Sequence, residues 1–217
     1  DALPDAKALR VMVSGALPAL MAPGAPPAFI DAGGQFLISN LVPGQYRLTA
    51  SDFSLIGGVP IGVWSLRSIT SAGKDLLDYP LDLPPGQPVS DVVFTYSNQT
   101  TELSGRLLDA AGKPIRDLSI LLFTTDRALW SSGPRRVRAP VRPAEDGTFR
   151  FVNLAPGEYY LGAVTDVDPR EATDPVFLER VTPSAIRVTV APGEKKVQDL
   201  RIAGLRPASG PAARSAI

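Results

Sequence analysis

Apolar and polar positions alternate along most of this chain with a period of two, the spacing that sends successive strand side chains to opposite faces of a sheet. The clearest run occurs twice. Residues 34–50 read GQFLISNLVPGQYRLTA and residues 147–163 read GTFRFVNLAPGEYYLGA. The copies align without a gap at an offset of 113 residues and share nine of seventeen positions, G-x-F-x-x-x-N-L-x-P-G-x-Y-x-L-x-A. Such internal repetition predicts two copies of one β module. In the second copy Phe149 and Phe151 share a face opposite Thr148 and Arg150; in the first, Phe36 and Ile38 oppose Gln35 and Ser39. The pattern resumes as Tyr46, Leu48, Ala50 and as Tyr159, Leu161, Ala163, which predicts antiparallel sheets with one buried side. Between the arms, Pro43-Gly44 and Pro156-Gly157 suit a type II turn, with proline presetting φ and glycine accepting a positive φ. Each copy is therefore expected to be a hairpin, with Asn40 and Asn153 bonding the backbone beside its turn.

The same reading extends over the rest of the chain. Residues 1–7 read as turn-like. A strand is expected at 9–14, a Pro- and Ala-rich loop at 17–27, a loop at 57–62, and strands at 63–70, 76–81 and 89–96. Trp64, placed on a strand, is expected in the core. After a polar joint near Asn98, strands are expected at 102–108, 118–124, 186–190 and 197–202, with a short helix at 175–181. Domain one is thus 1–98, domain two 99–203, and 204–217 a disordered tail. Laid on each other, the second module has a strand at 102–108 that the first lacks. An open sheet edge is a liability that proteins normally cover, so the natural polypeptide is expected to extend N-terminally.

Composition changes this picture mainly by exclusion. Lys plus Arg equals Asp plus Glu at 22 each, so no net field draws the chain to nucleic acid. Cysteine and histidine are absent, which removes disulfides, thiol nucleophiles, Ser-His triads and the usual zinc ligands. No apolar run approaches the ~20 residues of a membrane-spanning helix. No signal peptide is visible, so an export signal would lie upstream. The 22 prolines and 19 glycines fall between alternating runs, where they punctuate strands.

Few residues carry candidate chemistry. Ser71-Ala72-Gly73-Lys74 matches the S-x-x-K of serine acyltransferases, but without the S-D-N or K-T-G partners. Asp166, Asp168, Glu171 and Asp174 gather hard oxygen ligands on one loop, yet Arg170 stands where a calcium ligand belongs and no glycine supplies the sharp turn, so a solvated acidic loop is expected. Trp130, with Arg127, Arg135, Arg136 and nearby Arg138, has the composition of a site that stacks on sugar rings or grips an anionic glycan; the competing expectation packs Trp130 over the sandwich edge. Asn98-Gln99-Thr100 matches a glycosylation sequon by pattern alone.

The run ELSGRLLDAAGKP at 102–114, followed by DGTFRFVNLAPGEYYL at 146–161, resembles the carboxypeptidase regulatory-like domain. DRALW at 126–130 and APGEKKVQDLRI at 191–202 are similar to segments near the C-termini of exported proteins of soil bacteria such as the Acidobacteria. The resemblance covers 101–202 well and 9–96 loosely. It implies two tandem Greek-key, transthyretin/Ig-like antiparallel β-sandwiches, all-β, the first without its N-terminal strand. It also implies a non-catalytic structural or interaction module of a larger exported bacterial protein, in an extracellular, periplasmic or outer-membrane setting. Its partners would be upstream domains of the same polypeptide, a polysaccharide or another envelope protein. Neither metal nor cofactor is implied. A likeness to starch-binding sandwiches keeps a carbohydrate-binding role at Trp130, Arg127, Arg135 and Arg136 as the alternative; an enzyme is the reading with least in its favour, because no carboxylate pair is visible in the sequence.

Overall fold

The computed structural model describes residues 9–16, 26–52, 55–56, 59–60, 64–131, 133–165, 167–168 and 171–202. The expectations for 1–7, most of 17–27, most of the 57–62 loop and the 204–217 tail lie outside these residues. The chain divides into two compact units, Asp1–Asn98 and Gln99–Ile217.

Unit one contains β1 (Leu9–Gly15), β2 (Ala28–Phe29), β3 (Gly44–Asp52), β4 (Leu55–Ile56), β5 (Val59–Pro60), β6 (Ser65–Ser71), β7 (Lys74–Asp75), β8 (Leu81–Leu83) and β9 (Val93–Ser97). One sheet has the order β2-β1-β3-β8, another β7-β6-β9, and β4 pairs with β5. Val13, Tyr46 and Leu48 from the first sheet meet Ile69 of β6 and Leu76 in the core between them. Leu76 and its neighbours form a turn after β7 and not the strand expected at 76–81; the Asp75 carboxylate accepts the main-chain N–H groups of Ile69 and Leu77 and holds the chain in that turn. Trp64, expected in the core, is only half-buried and sits just ahead of β6.

Unit two contains β10 (Glu102–Asp109), β11 (Ser119–Thr124), β12 (Thr148–Val152), β13 (Gly157–Val164), α1 (Pro175–Val181), β14 (Ile186–Val190), β15 (Lys195–Val197) and β16 (Leu200–Ile202). It is an all-β sandwich. β12 and β15 flank β10, with β16 continuing along β10; the other sheet is β11-β13-β14. The core takes Leu103 and Leu107 from β10, Phe149 and Phe151 from β12, and Ile120, Leu122, Tyr159 and Leu161 from the facing sheet. Each such side chain, fully buried, contributes about 1.5–3 kcal/mol.

All six residues of β11 are buried, because this strand is covered on both faces. Ile120 and Leu122 enter the sandwich core, while Leu121 and Phe123 enter a second cluster with Trp130, Phe177, Leu178 and Val181. That cluster is closed by α1. Asp174 caps the helix by accepting the Val176 N–H at 2.8 Å, and Pro175 fills the first turn, where a missing N–H costs nothing. Gly162 lets the helix approach β13, since a Cβ there would lie 3.1 Å from Cγ1 of Val181 and 3.3 Å from Cβ of Ala185.

The repeat itself folds differently from the expected hairpin. β12 pairs with β10, with Phe149 opposite Gly105 and Phe151 opposite Leu103. β13 pairs with β11 and β14. The two arms therefore belong to opposite sheets, and the N-L-x-P-G corner is an arch that crosses the sandwich. The expected type II turn is absent as well: Gly44 and Gly157 have φ of 157° and 147°, far from the +80° of that turn, and the left-handed positions are Asn40 and Asn153 at φ of 60° and 54°. Asparagine enters that region more readily than most residues other than glycine. In unit one the arm before the corner, residues 35–42, forms no strand, although it carries the same pattern. The reason is pairing: β12 has β10 beside it, and residues 36–41 enter no ladder among the described residues.

Candidate functional site

The loop between β11 and β12 carries the residues that the sequence marks for ligand binding. It starts with one 3-10 turn at Arg127–Leu129, capped by Asp126, whose carboxylate accepts the Ala128 N–H at 3.0 Å. That turn drives Trp130 inward. The indole is 2% exposed, lies edge-on to Phe123 with 5.6 Å between ring centroids, and donates its Nε1–H to the Thr124 carbonyl at 2.8 Å. A sugar ring stacks on an open aromatic face, and Trp130 offers none.

The arginines go to separate tasks. Arg127 is exposed, pairs with Glu179 of α1, and places its guanidinium 5.4 Å from the Trp130 ring centroid. Half-buried Arg136 turns to the arch, where Nη1 donates to the Pro156 carbonyl at 2.9 Å and lies 3.4 Å from the Tyr159 hydroxyl. Arg138 donates Nη2–H to the Val152 carbonyl at 3.2 Å. Arg135 is half-buried. Trp130 and Arg127 thus meet, and Arg136 belongs to a different contact, at the Pro156 carbonyl.

The described part of the acidic loop takes up local structure. Asp174 caps α1, the Asp168 carbonyl accepts the Ala172 N–H, and Glu171 opens a 3-10 turn; Asp166 and Arg170 lie outside the described residues. Among the described residues no group of three carboxylates is placed to hold a metal ion. Ser71 and Lys74 face each other across a two-residue hairpin between β6 and β7, with Ala72 and Gly73 at φ of 47° and 77°.

The described residues also form concave surfaces in each unit. On unit two, a trough of about 640 Å³ lies over β10 and β12, with Arg106, Arg142, Arg150, Phe149 and Asp199 along it. Arg150 pairs with Glu102 at 2.6 Å, and that hydrogen bond holds the Glu102 carboxyl below its usual range and raises Arg150 above its own. Asp199 accepts the Arg106 N–H at 2.9 Å. Asp146, beside the trough, accepts both the hydroxyl and the N–H of Thr148, and these bonds hold its carboxyl low. On unit one, a cleft of about 710 Å³ lies between residues 34–43 and 81–92.

Neither the trough nor the Glu102–Arg150 ion pair was legible in the sequence, because strand pairing brings the two residues together from 48 residues apart. What could have been read is the tyrosine of the repeat, always three residues after the proline. Both copies bond it back to the corner: Tyr46 Oη to the Val42 carbonyl and Tyr159 Oη to the Ala155 carbonyl, each at 2.6 Å.

No protein-family model matches the chain, and no curated protein matches it. Among solved structures it is similar to the Bacillus anthracis TIE protein, at 9% identity and a TM-score of 0.32 over 93% of this chain and 32% of that one. The Streptococcal ancillary pilin gives 12% and 0.33 over 92% of this chain and 62% of that one. GBS52, the minor pilin of Streptococcus agalactiae, gives 14% and 0.36 over 93% and 84%. The chain spans about a third of the first of these proteins and under two thirds of the second. No helix among the described residues is long and apolar enough to cross a membrane.

Proposed function

We propose that this chain is a non-catalytic structural and interaction module of a longer exported bacterial protein, its second unit a β-sandwich of the carboxypeptidase regulatory-like, transthyretin-like type. The observation that carries this reading is the fate of the distinctive polar residues. Trp130 Nε1, Arg136, Arg138 and Asp174 each complete a backbone hydrogen bond in the fold. General acid-base work needs a group poised near neutral pH, and Glu102 and Asp146 beside the trough are pinned the other way, as carboxylates. The seven strands β10–β16 in two sheets support the family likeness.

The whole reading frame and cell fractionation test this. The frame should encode an export signal and further domains, and antibody against the chain should recover it from envelope or medium. Recovery from the cytosol as a free polypeptide would overturn the proposal. A glycan array should stay flat; binding abolished by Trp130→Ala but kept by a mutant elsewhere in the core would assign a carbohydrate-binding role instead.

A further inference from the structure

The repeat makes each unit a control for the other. By strand register, Leu81 and Leu83 pair with Tyr46 and Gly44 as Val188 and Val190 pair with Tyr159 and Gly157. Phe36 and Ile38 correspond to Phe149 and Phe151 by sequence. The four positions in unit two are 4% exposed or less. Their counterparts in unit one are all half-buried, and they line the 710 Å³ cleft together with Leu48 and Val92. Side chains of the same type at the same positions are sealed in one unit and open in the other.

The difference is β10. In unit two that strand lies antiparallel to β12 and parallel to β15 and β16, and its Leu103 and Leu107 close the core. In unit one, residues 36–41 and 87–92 border the cleft and enter no ladder among the described residues. Two stretches of main chain with open hydrogen-bonding groups, on either side of an apolar floor, form a slot for one strand.

We propose that this cleft accepts one added β-strand, and that its occupant is an extended segment of the same polypeptide lying N-terminal to β1. Connectivity selects that source. β1 corresponds to β11, since Val13 faces Leu48 as Leu122 faces Leu161, and β11 is preceded directly by β10 through a short loop. The occupant has apolar residues at alternate positions. Opposite Phe36 it carries a small residue, as β10 does at Gly105, where a Cβ would come within 2.0 Å of the Gln198 carbonyl oxygen and 3.0 Å of the Phe149 ring. It runs antiparallel to residues 36–39 and parallel to residues 87–92.

Hydrogen exchange on three forms of the protein tests this: the 217-residue chain, the chain without residues 1–8, and a chain with a copy of the 101–118 sequence joined ahead of Leu9. Relative to the form lacking residues 1–8, the graft should slow exchange at 36–41 and 87–92 by about tenfold or more, leaving unit two unchanged. If residues 1–8 themselves fill the slot, the intact chain will show the same protection and the deletion will remove it, which also supports the proposal. Equal exchange in all three forms would overturn it. So would protection that appears only at high concentration together with a dimer in sedimentation, which would make a second copy the occupant.

Discussion

The hydroxyl of Tyr159 lies 2.6 Å from the carbonyl oxygen of Ala155, four residues upstream, across the arch that joins the two sheets of unit two. Tyr46 repeats the contact on Val42 at the same distance in unit one. It has the form of the tyrosine corner of β-sandwiches, in which a phenol at the start of a strand bonds back to the preceding corner. The ring fills the core while its one polar atom satisfies a carbonyl that the sheet crossing leaves without a ladder partner. This accounts for the most persistent spacing in the repeat.

Tyr159→Phe should therefore destabilise unit two by about 1–3 kcal/mol, since the Ala155 carbonyl loses its partner while the ring volume is kept. Tyr46→Phe should cost less, because its bond is only partly buried. Urea denaturation of both variants measures the difference; equal, negligible losses would show that the corner is held by packing alone.

Trp130→Ala should be far more damaging than loss of its neighbouring charge. Removing a large aromatic from the cluster beneath α1 leaves a cavity and orphans the Thr124 carbonyl, for about 3–5 kcal/mol. Arg127→Ala breaks an exposed pair with Glu179 and should cost under about 1 kcal/mol. Chemical denaturation separates them, and amide exchange in α1 should accelerate in the tryptophan variant alone.

Gly105→Ala tests the close approach of β10 to the chain end. The new methyl would overlap the Gln198 carbonyl, so the 198–199 step must move away from β10. Overpacking of this kind costs about 1–3 kcal/mol or more. Exchange at residues 195–202 should rise before the rest of unit two responds; unchanged protection there would show that the sheet absorbs the methyl.

Acid should weaken unit two through Glu102. Its folded pKa is depressed by the hydrogen bond from Arg150, so the stabilisation is present above the unfolded carboxylate value of about 4.3 and is lost as pH falls through the lower folded value. The effect is modest, because Arg150 is solvent-exposed. Melting temperatures of the wild type and Glu102→Gln should converge as the pH falls below about 4 and diverge towards neutrality; parallel curves would remove the pair from the acid response.

Much of the fold was legible in the chain. The period of two located β1, β10, β11 and β14, and the short helix expected at 175–181 is α1 at its observed bounds. The misplaced elements have separate causes. Leu76 reads as strand by composition, but the Asp75 carboxylate binds the backbone into a turn that still buries the leucine. Residues 35–39 read as strand by alternation, but a strand is a property of a pair. Among the candidate site residues, the sequence places Trp130 and Arg127 on one loop, whereas the direction of the indole is set by the 3-10 turn and the helix that covers it.

By itself, then, the sequence determined that one β pattern occurs twice and which side of each strand is apolar, because side-chain alternation is a local consequence of backbone geometry. Tertiary structure alone decided that the second copy of the repeat arches between sheets, that Trp130 is core, and that unit one holds an open cleft where unit two holds β10. A period of two records which face is buried, and hydrogen bonds to distant strands choose what buries it.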